Sequence, residues 1–234
     1  MCQTCPPLNR RGFLSVAAAG AVVGGFSTRG FAAAAAPSVS PDEALARLKE
    51  GNKAFLSAPQ LCEADLAGQR AKVASSQAPW ATVLACADSR VAPELVFGSV
   101  GLGSLFVARN AGNMADTATM GTIEYGAANL GVPLVVVLGH QSCGAVAAAC
   151  AMVEKHARFP GSIEPMVQAI VPAARAVLGH PGDLVANAVR ENARRTAVQI
   201  ATRSQIVSGL VHKGTVKVIA AYYDLDTGAV EFLS

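Results

Sequence analysis

Four near-continuous apolar runs constrain this chain most: Trp80 to Ala85, Leu105 to Ala108, Leu134 to Leu138 and Val216 to Tyr223. Helical stretches lie between them, about 116 to 130, 144 to 154, 163 to 178 and 183 to 208. Short buried strands alternating with helices argue for a parallel sheet covered on both faces. A last run, Ala229 to Leu233, follows the turn residues Asp226-Thr227-Gly228. That is a hairpin signal, so an antiparallel edge strand closes the sheet. Ser40-Pro41-Asp42-Glu43 is a capping box with Pro at the first helical position. It opens a helix carrying Ala44, Leu45, Leu48 and Phe55 on one side, and a second helix follows over about 62 to 75. The expected fold is therefore α/β: a mostly parallel β-sheet flanked by helices, with an antiparallel edge strand and an N-terminal helical arm.

Two strand ends carry the chemistry. The first apolar run leads into Cys86-Ala87-Asp88-Ser89-Arg90, and the third into Gly139-His140-Gln141-Ser142-Cys143-Gly144. Parallel α/β sheets place their sites at the carboxyl ends of strands. A lone Cys is most often a small buried hydrophobe, and a lone His at a strand end is often only hydrogen-bonded. Cys86, His140 and Cys143 in matching strand contexts point instead to a metal. Two thiolates and an imidazole suit one zinc ion per chain, and three protein ligands leave a tetrahedral position open for water. Asp88 and Arg90 lie two apart; in an extended segment such side chains point the same way, so they can pair. Paired, Asp88 can orient water at the metal; released, it can fill the open position.

Composition narrows the rest. At 234 residues, 52% hydrophobic and 15% charged, the chain lies outside the disordered class. Arg10, Arg11 and Arg29 account for the whole formal charge of +3, so the remainder is neutral and has no bulk attraction for nucleic acid. Six Cys are too sparse for a disulfide scaffold at this length. Cys62 and Cys150 fit either a disulfide or buried free thiols. Residues 1 to 36 read as an export leader: Asn9-Arg10-Arg11-Gly12-Phe13-Leu14 resembles the twin-arginine consensus. An apolar run from Phe13 to Phe26 and Ala-rich cleavage sites follow. The expectation is a signal peptide over 1–36, a catalytic domain over 37–234, the twin-arginine (Tat) export machinery as a partner, and a periplasmic or otherwise exported location. An uncleaved anchor or a non-targeting tail is the alternative.

Cys86-x-Asp88-x-Arg90 and His140-x-x-Cys143 together resemble the motifs of the β-class carbonic anhydrases. The similarity continues through Phe106-Val107-Ala108-Arg109-Asn110-Ala111-Gly112-Asn113, then Ile123-Glu124-Tyr125, then Tyr223-Asp224-Leu225-Asp226-Thr227-Gly228. It spans about residues 40 to 234. The resemblance implies zinc held by Cys86, His140 and Cys143. It implies reversible hydration of carbon dioxide to bicarbonate and a proton by zinc-bound hydroxide, with Asp88 and Arg90 as catalytic residues. Val83 and Ala85 stand where one subgroup carries Trp and Gly for an inhibitory bicarbonate site. Gln77 stands where the plant-like subgroup carries a substrate-binding Gln. By that likeness Gln77, Phe106, Ala111, Tyr125 and Gly144 line the substrate pocket; read from the residues alone, Phe106 and Tyr125 fit core aromatics and Gln77 a loop. The resemblance also implies a homodimer or larger homo-oligomer, with the helical arm on a neighbouring subunit. Two other functions fit the same residues: hydrolysis of carbonyl sulfide or carbon disulfide, and a non-catalytic zinc-binding module.

Overall fold

The computed structural model describes residues 39–58, 66–98 and 100–233. The expected leader, residues 1–36, and Cys62 lie outside these residues. Helix α1 (Pro41–Ser57) begins with half of the expected capping box: the Glu43 N–H donates to Ser40 Oγ at 3.2 Å, and Pro41 occupies the first turn. The Glu43 carboxylate turns outward to Arg47 at 2.9 Å. Helix α2 (Leu66–Val73) buries none of its residues.

Five strands follow: β1 (Ala81–Cys86), β2 (Leu105–Asn110), β3 (Leu134–His140), β4 (Lys217–Tyr223) and β5 (Val230–Leu233). Their order is β2-β1-β3-β4-β5. All pairs are parallel except β4–β5, the hairpin. Alternation along each central strand divides the core into two layers. Val135 and Val137 of β3, with Leu84 and Cys86 of β1, face one layer. Leu134, Val136 and Leu138, with Ala81, Val83 and Ala85, face the other. The first layer packs against α4 (Thr117–Asn129), α5 (Gly144–Lys155), α6 (Ile163–Gln168), α7 (Val171–Ala176), α8 (Leu184–Arg203) and α9 (Gln205–His212). The second is covered by α1 and by α3 (Pro93–Val96), a short helix with no clear sequence signal.

Two expected helices are each two. The stretch 163 to 178 breaks between α6 and α7 because Pro172, in the first turn of α7, has no N–H to give and no room for the carbonyl four residues back. The stretch 183 to 208 breaks at Ser204, which closes α8 and caps α9. Its Oγ accepts the Val207 N–H at 3.0 Å and donates to Glu124 Oε1 at 2.6 Å, so α4 fixes the break. The apolar stripe of α1 is also buried within its own chain: Ala44 and Leu48 are fully covered by this sheet.

Register decides where the chemistry falls. Ala85 lies beside Leu138, so Cys86 and His140 emerge at the same end of neighbouring strands. Gly139 lets α8 close over that end: a Cβ there would meet Val189 Cγ1 at 2.8 Å. Opposite, the β4–β5 turn is tied to α1 by Asn52, which is buried. Its Nδ2 donates to the Val96 and Gly228 carbonyls at 3.0 and 2.9 Å, and its Oδ1 accepts the Val230 N–H at 2.9 Å. An Asn52→Ala variant strands one buried and two part-buried backbone groups and should lose about 1–3 kcal/mol of stability. Urea denaturation checks this; a loss under about 0.5 kcal/mol would mean water replaces the side chain.

Candidate metal centre

Cys86 ends β1, His140 ends β3, and Cys143 is the N-cap of α5. All three are buried, and their donor atoms lie within 4.8 Å of one another. The two Sγ atoms are 3.9 Å apart. Ser142 makes the short connection between His140 and Cys143 possible by taking a left-handed conformation, φ +55°. An L-residue with a side chain adopts that region only at a cost, which the surrounding contacts must offset.

The imidazole has a defined tautomer. His140 Nδ1 lies 2.8 Å from the Gln141 carbonyl, which can only accept, so Nδ1 carries the proton. In the neutral ring that leaves Nε2 as the lone-pair nitrogen, and among the described residues it is buried with no hydrogen-bond partner. An orphaned acceptor of this kind, facing two thiols, is what a metal would satisfy. Two thiolates about 2.3 Å from one tetrahedral zinc would stand about 3.8 Å apart, close to the spacing found. Soft sulfur donors disfavour calcium and magnesium. The residues fit zinc.

The thiols are unequal. The Cys143 contact, assisted by His140 and the Gly112 N–H, draws Cys86 down to about 4 although burial opposes it. The same contact with Cys86, followed by burial, pushes Cys143 up. The Gly112 N–H donates to Cys86 Sγ at 3.4 Å, and Gly112 holds φ +83° to aim it. Asn192, eighty residues along on α8, donates to the Gly112 carbonyl at 2.9 Å and fixes that loop.

Asp88 and Arg90 do pair, by a different route from the extended one. The chain turns after Asp88: its Oδ1 accepts the Arg90 N–H at 3.0 Å, and the guanidinium then closes on both carboxylate oxygens at 2.9 and 2.7 Å. This Asx turn folds the fork back onto its own carboxylate. Arg109 of β2 holds the turn from the side, donating to the Cys86 and Asp88 carbonyls at 2.9 and 2.7 Å. Asp88 Oδ2 lies 3.9 Å from His140 Nε2, so the carboxylate borders the space the three donors enclose.

The expected pocket residues are placed less closely. The Phe106 and Tyr125 rings approach with centroids 6.2 Å apart, and Tyr125 is 40% exposed. Ala111 follows β2, and exposed Gly144 begins α5 beside Cys143. Gln77 is exposed ahead of β1, apart from the hydrogen-bond network of the cluster. Cys150 is a buried free thiol on α5, raised to about 11 foremost by burial. Sequence reasoning assigned no role to Arg109, Gly112, Gln141 or Asn192. The first three sit inside recognised motifs, which show their presence but not their contacts; Asn192 carries no signal.

A mostly parallel sheet with a Cys-His-Cys cluster at its carboxyl edge defines a class, and comparison with known proteins agrees. The family profile described as carbonic anhydrase matches residues 81–230. Carbonic anhydrase 2 of Mycobacterium tuberculosis (strain H37Rv) is 37% identical over 194 residues, covering 82% of this chain and 92% of the relative. The β-carbonic anhydrase of Coccomyxa, solved with acetazolamide, superposes with a TM-score of 0.62 at 25% identity, covering 82% of this chain and 85% of that one. A tetrameric β-carbonic anhydrase of Sordaria macrospora shares the fold at TM-score 0.63 and 22% identity, over 70% and 85% of the two chains. The chain belongs to the β-class carbonic anhydrase family.

The Arg90 hydrogen bonds, first among the causes, hold the Asp88 carboxyl well below the usual carboxylate range. A depressed folded pKa stabilises the fold above the ordinary carboxylate value and is lost as pH falls through the folded one. In an Arg90→Ala variant the Asp88 titration should move up toward about 4. Carboxyl-carbon NMR reads it directly; an unmoved titration would assign the depression to another group.

Proposed function

We propose that this chain catalyses the reversible hydration of carbon dioxide to bicarbonate and a proton. The observation that carries the reading is a buried three-donor cluster bordered by a carboxylate that Arg90 holds ionised. Cys86, His140 and Cys143 would hold one zinc ion. When bound, zinc supplies a Lewis acid that lowers the pKa of water, less strongly here because two thiolates cancel its charge.

The chain's own residues do the rest. An ionised Asp88 can only accept, so water beside it donates a hydrogen bond to Oδ2 and turns a lone pair toward the substrate. Arg90 fixes that carboxylate's direction, and Arg109 holds the backbone turn that carries it. One carbon dioxide and one water give one bicarbonate and one proton, which passes to buffer. Gln77, Val83 and Ala85 support the plant-like subgroup, and a carboxylate occupied by Arg90 supports a fourth position left to water. Gln77, Phe106, Ala111, Tyr125 and Gly144 form the substrate pocket in this reading. A second copy completes it: β2 is an edge strand beside exposed Tyr125 and Leu102, the kind of surface another chain covers. Residues 1–36 act as a twin-arginine leader, supported by Arg10-Arg11 and the apolar run after them.

Stopped-flow hydration on zinc-quantified protein tests the activity. Turnover should rise from neutral to alkaline pH, and Cys143→Ala should lose both zinc and activity. Stoichiometric zinc without hydration would overturn the reading and favour a sulfur-containing substrate. Cell fractionation followed by gel filtration tests the remainder. The shortened chain is expected in the periplasm, as a dimer or larger; an active full-length cytosolic monomer would refute both parts.

A further inference from the structure

We infer that Gln141 is a positioning residue for the metal centre, bracing the His140 imidazole against the β4–β5 hairpin. The inference rests on reading Cys86, His140 and Cys143 as a zinc site.

Gln141 is the first residue past β3, and every polar group it has is engaged. Its N–H donates to the Tyr223 carbonyl at 2.8 Å, carrying the β3–β4 ladder one residue beyond His140. Its carbonyl accepts from His140 Nδ1 at 2.8 Å. Its side chain reaches across to the hairpin turn. There Oε1 accepts the Leu225 and Asp226 N–H groups at 2.8 and 3.3 Å, and Nε2 donates to Asp226 Oδ2 at 2.8 Å.

The carbonyl that sets the ring's tautomer is thus anchored from two directions. The next residue, Ser142, sits at φ +55°. A strained conformation persists only where its surroundings over-determine it. Relaxing Ser142 would turn the peptide plane that carries this carbonyl and free Nδ1. The brace opposes that turn. Its platform is itself stiff: Asp224 Oδ1 accepts the Asp226 and Thr227 N–H groups and the Thr227 hydroxyl, while Asn52 holds Gly228 and Val230. A chain of hydrogen bonds therefore runs from α1 through the hairpin to the imidazole, whose Nε2 faces the thiols. Partners of a ligand's second nitrogen tune metal affinity as well as ring orientation.

The test uses the full chain and reads zinc affinity by competition with a chromogenic chelator, with the cobalt-substituted absorption spectrum as a measure of ligand geometry. Gln141→Ala removes the brace; Gln141→Glu loses the donor and sets a like charge against Asp226. Each should weaken zinc binding roughly 10- to 100-fold and alter the cobalt spectrum. Combining Gln141→Glu with Asp226→Asn exchanges donor and acceptor, and should restore both. A merely structural role would loosen the hairpin, seen as faster amide exchange over residues 224–229, without moving affinity or spectrum. Unchanged affinity in Gln141→Ala, or no recovery in the double variant, would overturn this inference alone. A wild-type chain that takes up no zinc would overturn the metal-centre reading and this inference with it.

Discussion

The structure depends on one constraint: three donors from two distant segments of the chain, Cys86 on one and His140 with Cys143 on the other, must meet in a single buried space. Thiols and an imidazole are costly to bury without partners. Here they are gathered by the parallel pairing of β1 with β3, in which Ala85 stands beside Leu138. A one-residue slip would turn Cys86 to the other face of the sheet. The apolar layers on both faces make that slip expensive, because Val83 and Leu84 fill different cores. The hydrophobic pattern that forms the sheet therefore also sets the register that forms the site.

Around this gathering point the fold supplies directional hydrogen bonds. Gly112 aims its N–H at one sulfur, and Asn192 holds Gly112. Arg109 holds the turn that presents Asp88, and Gln141 holds the imidazole. These contacts come from β2, α8, the post-β3 loop and the β4–β5 hairpin. The helix covering β3 can approach because Gly139 has no side chain to meet Val189. Electrostatics follows the same design. The exposed Arg90 guanidinium keeps Asp88 ionised, and the contact between the two sulfurs separates their proton affinities.

Strands, the antiparallel edge and the ligand motif were legible in the sequence, because apolar runs and Cys, His and Asp at their ends are local signals. The first strand shifts by one residue, from 80–85 to Ala81–Cys86. Helix boundaries were less legible. Pro172 was visible and should have split the stretch from 163 to 178, but Ser204 breaks α8 from α9 partly through Glu124, a residue eighty positions away. Asp88 and Arg90 were correctly paired for an incorrect reason. Spacing of two suggested an extended segment, whereas the carboxylate's own bond to the Arg90 N–H makes a turn.

By itself the sequence determined the α/β class, the candidate ligands Cys86, His140 and Cys143, and the coupling of Asp88 to Arg90. Each follows from residue type and spacing over a few neighbours. Only the tertiary structure decided that Nδ1 of His140 carries the proton, that α1 buries its stripe on its own sheet, and that Gln141, Arg109 and Asn192 converge on the centre. Those facts depend on hydrogen-bond direction and on contacts between segments far apart in the chain. Neither is encoded in any local pattern of hydrophobicity or charge.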